Sequence, residues 1–204
     1  MGRFAVTLTV EQGIIGGTPV SGNDFGAAIN YEALIEQASQ FDFYDGGGLD
    51  IAFLGMAEVD VTGAVNVSRF GNTVIGVGGF TNIAQSAKRI CFLGSFSVGG
   101  AEIDIADGKL RIVKDGRACK IVPEVLLVSS DPNAAMAGQH VLVITERAVF
   151  ELRDGRLTLI EYAPGVDLKA DILDRLPEGS AIADDLRLMD SRLFSTSAMR
   201  DAVQ

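Results

Sequence analysis

Short apolar runs that break off into clusters of glycine set the folding options of this chain. Val10-Glu11-Gln12-Gly13-Ile14-Ile15-Gly16-Gly17, Asp45-Gly46-Gly47-Gly48-Leu49 and Gly76-Val77-Gly78-Gly79-Phe80 are such places. Glycine adopts positive φ and lets other atoms approach the backbone closely. Each cluster therefore marks a tight turn, or a point where the backbone meets a ligand or a neighbouring chain. The 24 glycines among 204 residues are nearly twice the average usage of about 7%, and they are clustered rather than spread through a low-complexity tract.

The runs between the clusters predict the elements. Phe4 to Val10 alternates, with Val6, Leu8 and Val10 on one side and Thr7 and Thr9 on the other, which predicts a buried strand. Asn23 or Asp24 is placed to cap a helix that carries Phe25, Ala28, Ile29, Leu34, Ile35 and Ala38. Gln40 to Tyr44 reads as extended, and Leu49 to Met56 as a buried strand that encloses Asp50. Ala57 to Val67 alternates around a turn at Thr62-Gly63. Thr81 to Lys88 predicts a short helix and Ile90 to Phe96 another strand, a rhythm of α/β units. Asp107-Gly108 and Asp154-Gly155, each between alternating runs, predict hairpins, with a strand over Val141 to Thr145. Asp167 is placed to cap a helix that Pro177-Glu178-Gly179 stops. The expected fold is α/β: an open, mostly parallel sheet with helices on both faces, plus antiparallel hairpins. Residues 1–177 are expected to form the domain, and 178–204 a tail that docks as a loose helix or frays.

Composition removes several function classes. A net charge of −10 argues against non-specific nucleic-acid binding, which relies on basic patches. No apolar run approaches the roughly 20 residues of a membrane span, and Met1-Gly2-Arg3-Phe4 lacks the parts of a secretory signal. With only Cys91 and Cys119, the cytoplasm is the expected compartment. Cys91, inside Ile90-Cys91-Phe92-Leu93, reads as a buried small hydrophobe. His140 is the sole histidine and no Cys/His cluster exists. No metal site is expected, and Ser-His-Asp or Cys-His chemistry is nearly excluded.

Two constellations can carry chemistry. Glu11 follows a predicted strand and opens a glycine turn, where a carboxylate can serve as base, metal ligand or covalent nucleophile. A solvated loop glutamate is the plainer alternative. Gly76 to Phe80 precedes a predicted helix, so free backbone N–H groups there can face developing negative charge. Tight strand–helix packing explains the same glycines, and the spacing is neither GxGxxG nor GxxxxGK[ST]. Asp45 and Asp50 can hold a cation, although Asp50 within an apolar run suits a structural role, accepting backbone N–H bonds. Glu146-Arg147 reads as a solvated or structural pair, and surface pairs are worth roughly 0–1 kcal/mol.

Taken in order, further stretches accompany these. They are Gln40-Phe41-Asp42-Phe43-Tyr44-Asp45-Gly46-Gly47-Gly48-Leu49-Asp50, Phe53-Leu54-Gly55, Gly63-Ala64-Val65-Asn66-Val67-Ser68, Gly78-Gly79-Phe80-Thr81-Asn82-Ile83 and Thr145-Glu146-Arg147-Ala148-Val149-Phe150. With the Glu11 segment they resemble the β-type (carboxyl-terminal) half of the family I coenzyme A transferases. The nearest likeness is to bacterial short-chain acyl-CoA:acetate/3-oxoacid transferases, the acetate and propionate enzymes.

The resemblance implies a fold of the CoA-transferase/ribose-5-phosphate isomerase kind. It implies that Glu11 is the glutamate that becomes a γ-glutamyl-CoA thioester, and that the Gly79 N–H contributes to an oxyanion hole. Gly16, Gly17, Gly78 and Gly79 are the implied CoA-binding positions. Coenzyme A is then a substrate, and no permanently bound cofactor is expected. The family's Ser-Glu-Asn-Gly signature is Val10-Glu11-Gln12-Gly13 here, so carboxylate and glycine remain while the polar flanks differ. The family's other half has no match in this chain. The implied partner is therefore an α-type half, as a separate subunit or an upstream segment, in an oligomer that acts on acyl-CoA and a short-chain carboxylate. An acyl-CoA hydrolase on the same scaffold and a non-catalytic CoA-binding half are the alternatives.

Overall fold

The computed structural model describes residues 6–132 and 138–195. At the amino end, β1 (Thr9–Val10) pairs antiparallel with β2 (Ile14–Ile15), which pairs with β3 (Ala33–Leu34). Helix α1 (Gln37–Phe43) follows, then a wider turn over Tyr44–Gly48. Next come β4 (Ala52–Gly55) and the pair β5 (Glu58–Asp60) and β6 (Val65–Asn66). Helix α2 (Phe80–Ser86) leads into β7 (Arg89–Leu93). The second half holds the hairpin β8 (Glu102–Ala106) and β9 (Lys109–Lys114), then β10 (His140–Ile144), β11 (Ala148–Arg153), β12 (Arg156–Tyr162) and β13 (Ala181–Leu188).

The main sheet has six strands in the order β13-β12-β11-β10-β7-β4. The pairings β4–β7, β7–β10 and β12–β13 are parallel, while β10–β11 and β11–β12 are antiparallel. The α/β class and the predominance of parallel pairing follow the sequence. Apolar runs at Ile90, Phe92, Val141 and Val143 are buried in the middle of the sheet, as parallel strands covered by other elements must be. Phe80, Ile83 and Ala84 of α2 and Tyr44 after α1 share one core with Phe92, Val143, Phe150 and Leu159. Val149, one residue from Phe150, packs instead into a smaller cluster with Leu110, Ala163, Met189 and Phe194. Side chains alternate across a strand, so hairpin β8–β9 covers the opposite face at that end.

Both Asp-Gly turns form as expected. Asp107 and Gly108 have φ of 53° and 72°, Asp154 and Gly155 of 49° and 73°, the positive pair that two-residue hairpins require. Asp167 caps the turn over Leu168–Ile172, accepting from Ala170 N–H at 2.8 Å. Cys91 is buried, and burial pushes its thiol upward. His140 begins β10 and is exposed, with Nε2 2.6 Å from Glu151.

Several expectations are corrected. Phe4 and Ala5 lie outside the described residues; the paired strand is only Thr9–Val10, and Val6 and Leu8 are exposed. Glu11 therefore follows a strand of a small antiparallel sheet, not one of the main sheet. The helix expected from Asn23 or Asp24 to Ala38 does not form, except that Gln37 and Ala38 begin α1. Gly22–Asp24 makes a single tight turn, Ala28–Ile29 pairs with Thr18–Pro19, and Ala33–Leu34 pairs with Ile14–Ile15. Positive φ at Gly22, Gly26 and Asn30 breaks the helical run. Phe25, Ile29 and Leu34 are exposed, so a helix there would have had no buried face within this chain.

Gln40 to Tyr44, read as extended, is helical, and places Gln40 and Tyr44 one turn apart and both buried. Asp50 is not buried: β4 starts two residues later, and the Asp50 carboxylate is exposed, 2.7 Å from Lys88 Nζ. Over its described part the tail is a strand followed by one short helical turn, Ser191–Phe194. Residues 181–188 are strand β13, parallel to β12, and Phe194 is buried in the smaller cluster. Residues 196–204 lie outside the described residues.

Candidate active site

The Glu11 turn is fixed from below. Val10 is buried, and its carbonyl accepts from the Gly13 N–H at 3.0 Å, closing the turn around Glu11 and Gln12. Gly13 has φ +110°, and a Cβ there would stand 2.1 Å from the Ile35 carbonyl oxygen. No other residue fits without moving the backbone. The Ile35 N–H in turn donates to the Gly13 carbonyl at 2.9 Å, and the Gly16 N–H to the Leu8 carbonyl at 2.7 Å. The Glu11 carboxylate is thus half-buried on a turn with little freedom.

Gly79 comes from the far side. Gly76 and Gly78 hold φ of +83° and +54° with open space about them, and Gly79 then caps α2. A Cβ on Gly79 would lie 3.0 Å from Glu11 Oε2 and 2.4 Å from the Phe41 ring. The missing side chain is what lets carboxylate, ring and backbone share that point. The Gly79 N–H donates to no acceptor among the described residues, so it is open to an incoming oxygen. A half-buried carboxylate beside an uncommitted backbone N–H can attack a carbonyl while the N–H takes up the charge formed on oxygen.

Gly16 and Gly17 are positioned differently. Their φ values are +76° and +73°; a Cβ would meet the Glu32 side chain at 2.8 Å or the Ile29 carbonyl at 2.5 Å. Close packing of the hairpins accounts for glycine at both.

Sequence reasoning missed the support beneath the site. The buried Gln40 Nε2 donates to the Val10 carbonyl at 2.5 Å and to the Tyr44 hydroxyl at 2.6 Å. The Tyr44 hydroxyl donates to Thr9 Oγ1 at 2.7 Å. Burial raises the Tyr44 pKa most strongly; hydrogen bonds to Thr9 and Gln40 oppose it, Glu11's negative charge adds to it, and the net shift is upward. Tyr44 is therefore a neutral phenol across the physiological range. The usable signal was the four-residue spacing of Gln40 and Tyr44.

The other acidic candidates are committed elsewhere. Asp45 accepts from Asn82 Nδ2 at 3.1 Å, and Asp50 pairs with Lys88. Among the described residues no three or more His, Cys, Asp or Glu side chains come together to hold a metal ion. Glu146-Arg147 is a structural pair, but not a solvated one. Arg147 is fully buried, with Nε 2.8 Å from Glu146, two guanidinium nitrogens 3.1 and 3.2 Å from the two Asp115 oxygens, and its carbon 4.8 Å above the Phe96 ring. Glu146 also accepts from the Phe96 N–H, and Arg175 adds a second cation 2.9 Å from Asp115. Burial raises the Asp115 pKa, but Arg147 and its other donors more than offset this and hold the carboxyl low.

No family model matches the sequence. The chain is 48% identical over 196 residues to the caffeate CoA-transferase of Acetobacterium woodii, covering 93% of this chain and 37% of that protein. It is 31% identical over 157 residues to the acetate CoA-transferase subunit beta of Haemophilus influenzae, covering 76% of this chain and 60% of that subunit. The crystal structure of the acyl-CoA transferase YdiF of Escherichia coli O157:H7, as a thioester complex with CoA, superposes with a TM-score of 0.87 at 45% identity. That match covers 95% of this chain and 36% of that one. The chain thus spans little more than a third of the longer relatives. In sequence and fold it belongs to the family I CoA-transferases and matches their β-type part.

Proposed function

We propose that this chain supplies the nucleophile for coenzyme A transfer between a short-chain acyl-CoA, or 3-oxoacyl-CoA, and a carboxylate. The observation that carries the reading is the approach of Glu11 Oε2 to within 3.0 Å of the vacant Cβ position of Gly79. The Glu11 carboxylate attacks the thioester carbonyl of the donor, giving a mixed anhydride and CoA thiolate. The thiolate attacks the Glu11 carbonyl, releases the donor acid and leaves the γ-glutamyl-CoA thioester. An acceptor carboxylate then runs the steps in reverse. The Gly79 N–H meets the oxyanion of each tetrahedral intermediate, and a further donor comes from an α-type half. Gly78, with open space around it, lets the thioester approach this backbone. The chain acts within an oligomer with that half, in the cytoplasm.

Joined to its α-type half, the enzyme is expected to move CoA from an acyl-CoA donor only when acetate or another carboxylate is present, and hardly at all without the half. Following donor loss by chromatography checks this. Free CoA released equally fast without acceptor would make it a hydrolase. Gly79→Ala keeps the backbone N–H but is expected to lower transfer about 10²-fold, the scale for displacing a reacting group by about 1 Å. The new methyl group displaces the Phe41 ring or the Glu11 carboxylate, 2.4 and 3.0 Å from its position. Steady-state assays with far-UV circular dichroism separate that loss from unfolding.

A further inference from the structure

We infer that helix α1 is the brace that sets the distance between the nucleophile and the oxyanion donor, with Gln40 and Tyr44 as its positioning residues. The inference rests on the roles proposed for Glu11 and Gly79 and adds the parts that hold them in register. Gln40 is 1% exposed, and a long polar side chain is rarely buried unless its hydrogen bonds require it. Its amide nitrogen is committed to the carbonyl of Val10, the residue before Glu11, at 2.5 Å. The Tyr44 hydroxyl, one helical turn on, accepts from the same nitrogen and donates to Thr9. Two side chains of one helix face therefore grip the strand immediately ahead of the nucleophile. Between them, Phe41 packs on Gly79 so closely that a single methyl group there would overlap its ring. One short helix thus touches both halves of the proposed site.

A helix that served packing alone would bury apolar side chains. Here two of its contacts with β1 are polar and directed at the backbone and hydroxyl flanking Glu11. The Gln40 Oε1 has no hydrogen-bond partner in the described structure, although an unpaired buried acceptor is costly. Retaining it is hard to explain by stability, since an apolar isostere would avoid the penalty. Catalysis through two groups held in register loses about 10²-fold for a displacement of about 1 Å, which is the scale of effect a brace controls.

The test uses the enzyme assembled with its α-type half, mixed with acyl-CoA and quenched at short times, with the CoA adduct on Glu11 followed by mass spectrometry. Gln40→Leu is expected to slow adduct formation about 10–100-fold, and to lower kcat with little change in KM or in the thermal midpoint. Tyr44→Phe, which removes one oxygen, is expected to slow it several-fold, and the double variant to lose less than the product of the two, because the residues share a hydrogen bond. Should Gln40→Leu fail to assemble, Tyr44→Phe decides by the same rate. Wild-type rates in both variants, with the wild-type adduct present, would overturn the brace and leave the roles of Glu11 and Gly79 standing. A wild-type enzyme that forms no Glu11 adduct would overturn both.

Discussion

Glu11→Gln is expected to reduce CoA transfer by at least about 10⁴-fold in the assembled enzyme, as loss of a covalent nucleophile does elsewhere. The substitution keeps size and shape and removes the charge. The turn should persist, because its hydrogen bonds are backbone ones: Gly13 N–H to Val10 carbonyl, Ile35 N–H to Gly13 carbonyl, Gly16 N–H to Leu8 carbonyl. Acyl-CoA should still bind with similar affinity. An amide has no oxygen nucleophilic enough to displace CoA thiolate, so no covalent route remains. Initial rates of CoA exchange, alongside equilibrium binding of acyl-CoA, check both parts. A variant with a tenth of wild-type exchange would show that the carboxylate acts as something other than the covalent carrier.

Arg147→Ala is expected to have the largest effect on stability, about 3–5 kcal/mol. The guanidinium is inaccessible, and its partners Glu146 and Asp115 are themselves largely covered. Removing it takes the ion-pair partner from Glu146, leaves Asp115 with Arg175 alone, and empties the space above Phe96. Arg147 also donates to the Asp171 carbonyl at 3.3 Å, tying the β10–β11 turn to the segment after Asp167. Arg147→Lys should recover only part of the loss, because an ammonium cannot make the two parallel bonds to Asp115. Urea unfolding followed by circular dichroism measures this, and a thermal midpoint lower by about 10 °C or more is expected for alanine. A loss under about 1 kcal/mol would mean that the cluster behaves as a surface pair.

The two cases differ in how far they could be read in advance. Elements fixed by local chemistry were legible: the Asp107-Gly108 and Asp154-Gly155 turns, the apolar runs of β7 and β10, and the cap at Asp167. Elements fixed by distant partners were not. Phe25 to Ile35 has a helical spacing of apolar residues, yet positive φ at Gly26 and Asn30 and pairing with residues 14–19 give it two short strands instead. Gln40 to Tyr44 has aromatic residues suited to a strand, but hydrogen bonds from its side chains to Thr9 and Val10 favour the helix that presents them. Glu146-Arg147 read as a solvated or structural pair, and its burial was not legible because the second carboxylate, Asp115, lies 32 residues away. Residues 181–188 alternate weakly, and the order of the main sheet, not local propensity, makes them strand β13. At the candidate site, Glu11 and Gly79 were singled out as individual residues through the family resemblance. Their meeting, with the Phe41 ring of α1 at the same point, was visible only in three dimensions.

The most direct measurement is peptide-level mass spectrometry of the assembled enzyme after exposure to an acyl-CoA donor without acceptor. The expected result is CoA bound through a thioester on the peptide containing Glu11, lost on addition of acetate and converted by borohydride to the alcohol of that side chain. Turnover of the donor with no adduct on that peptide, or an adduct that acetate fails to discharge, would contradict the account.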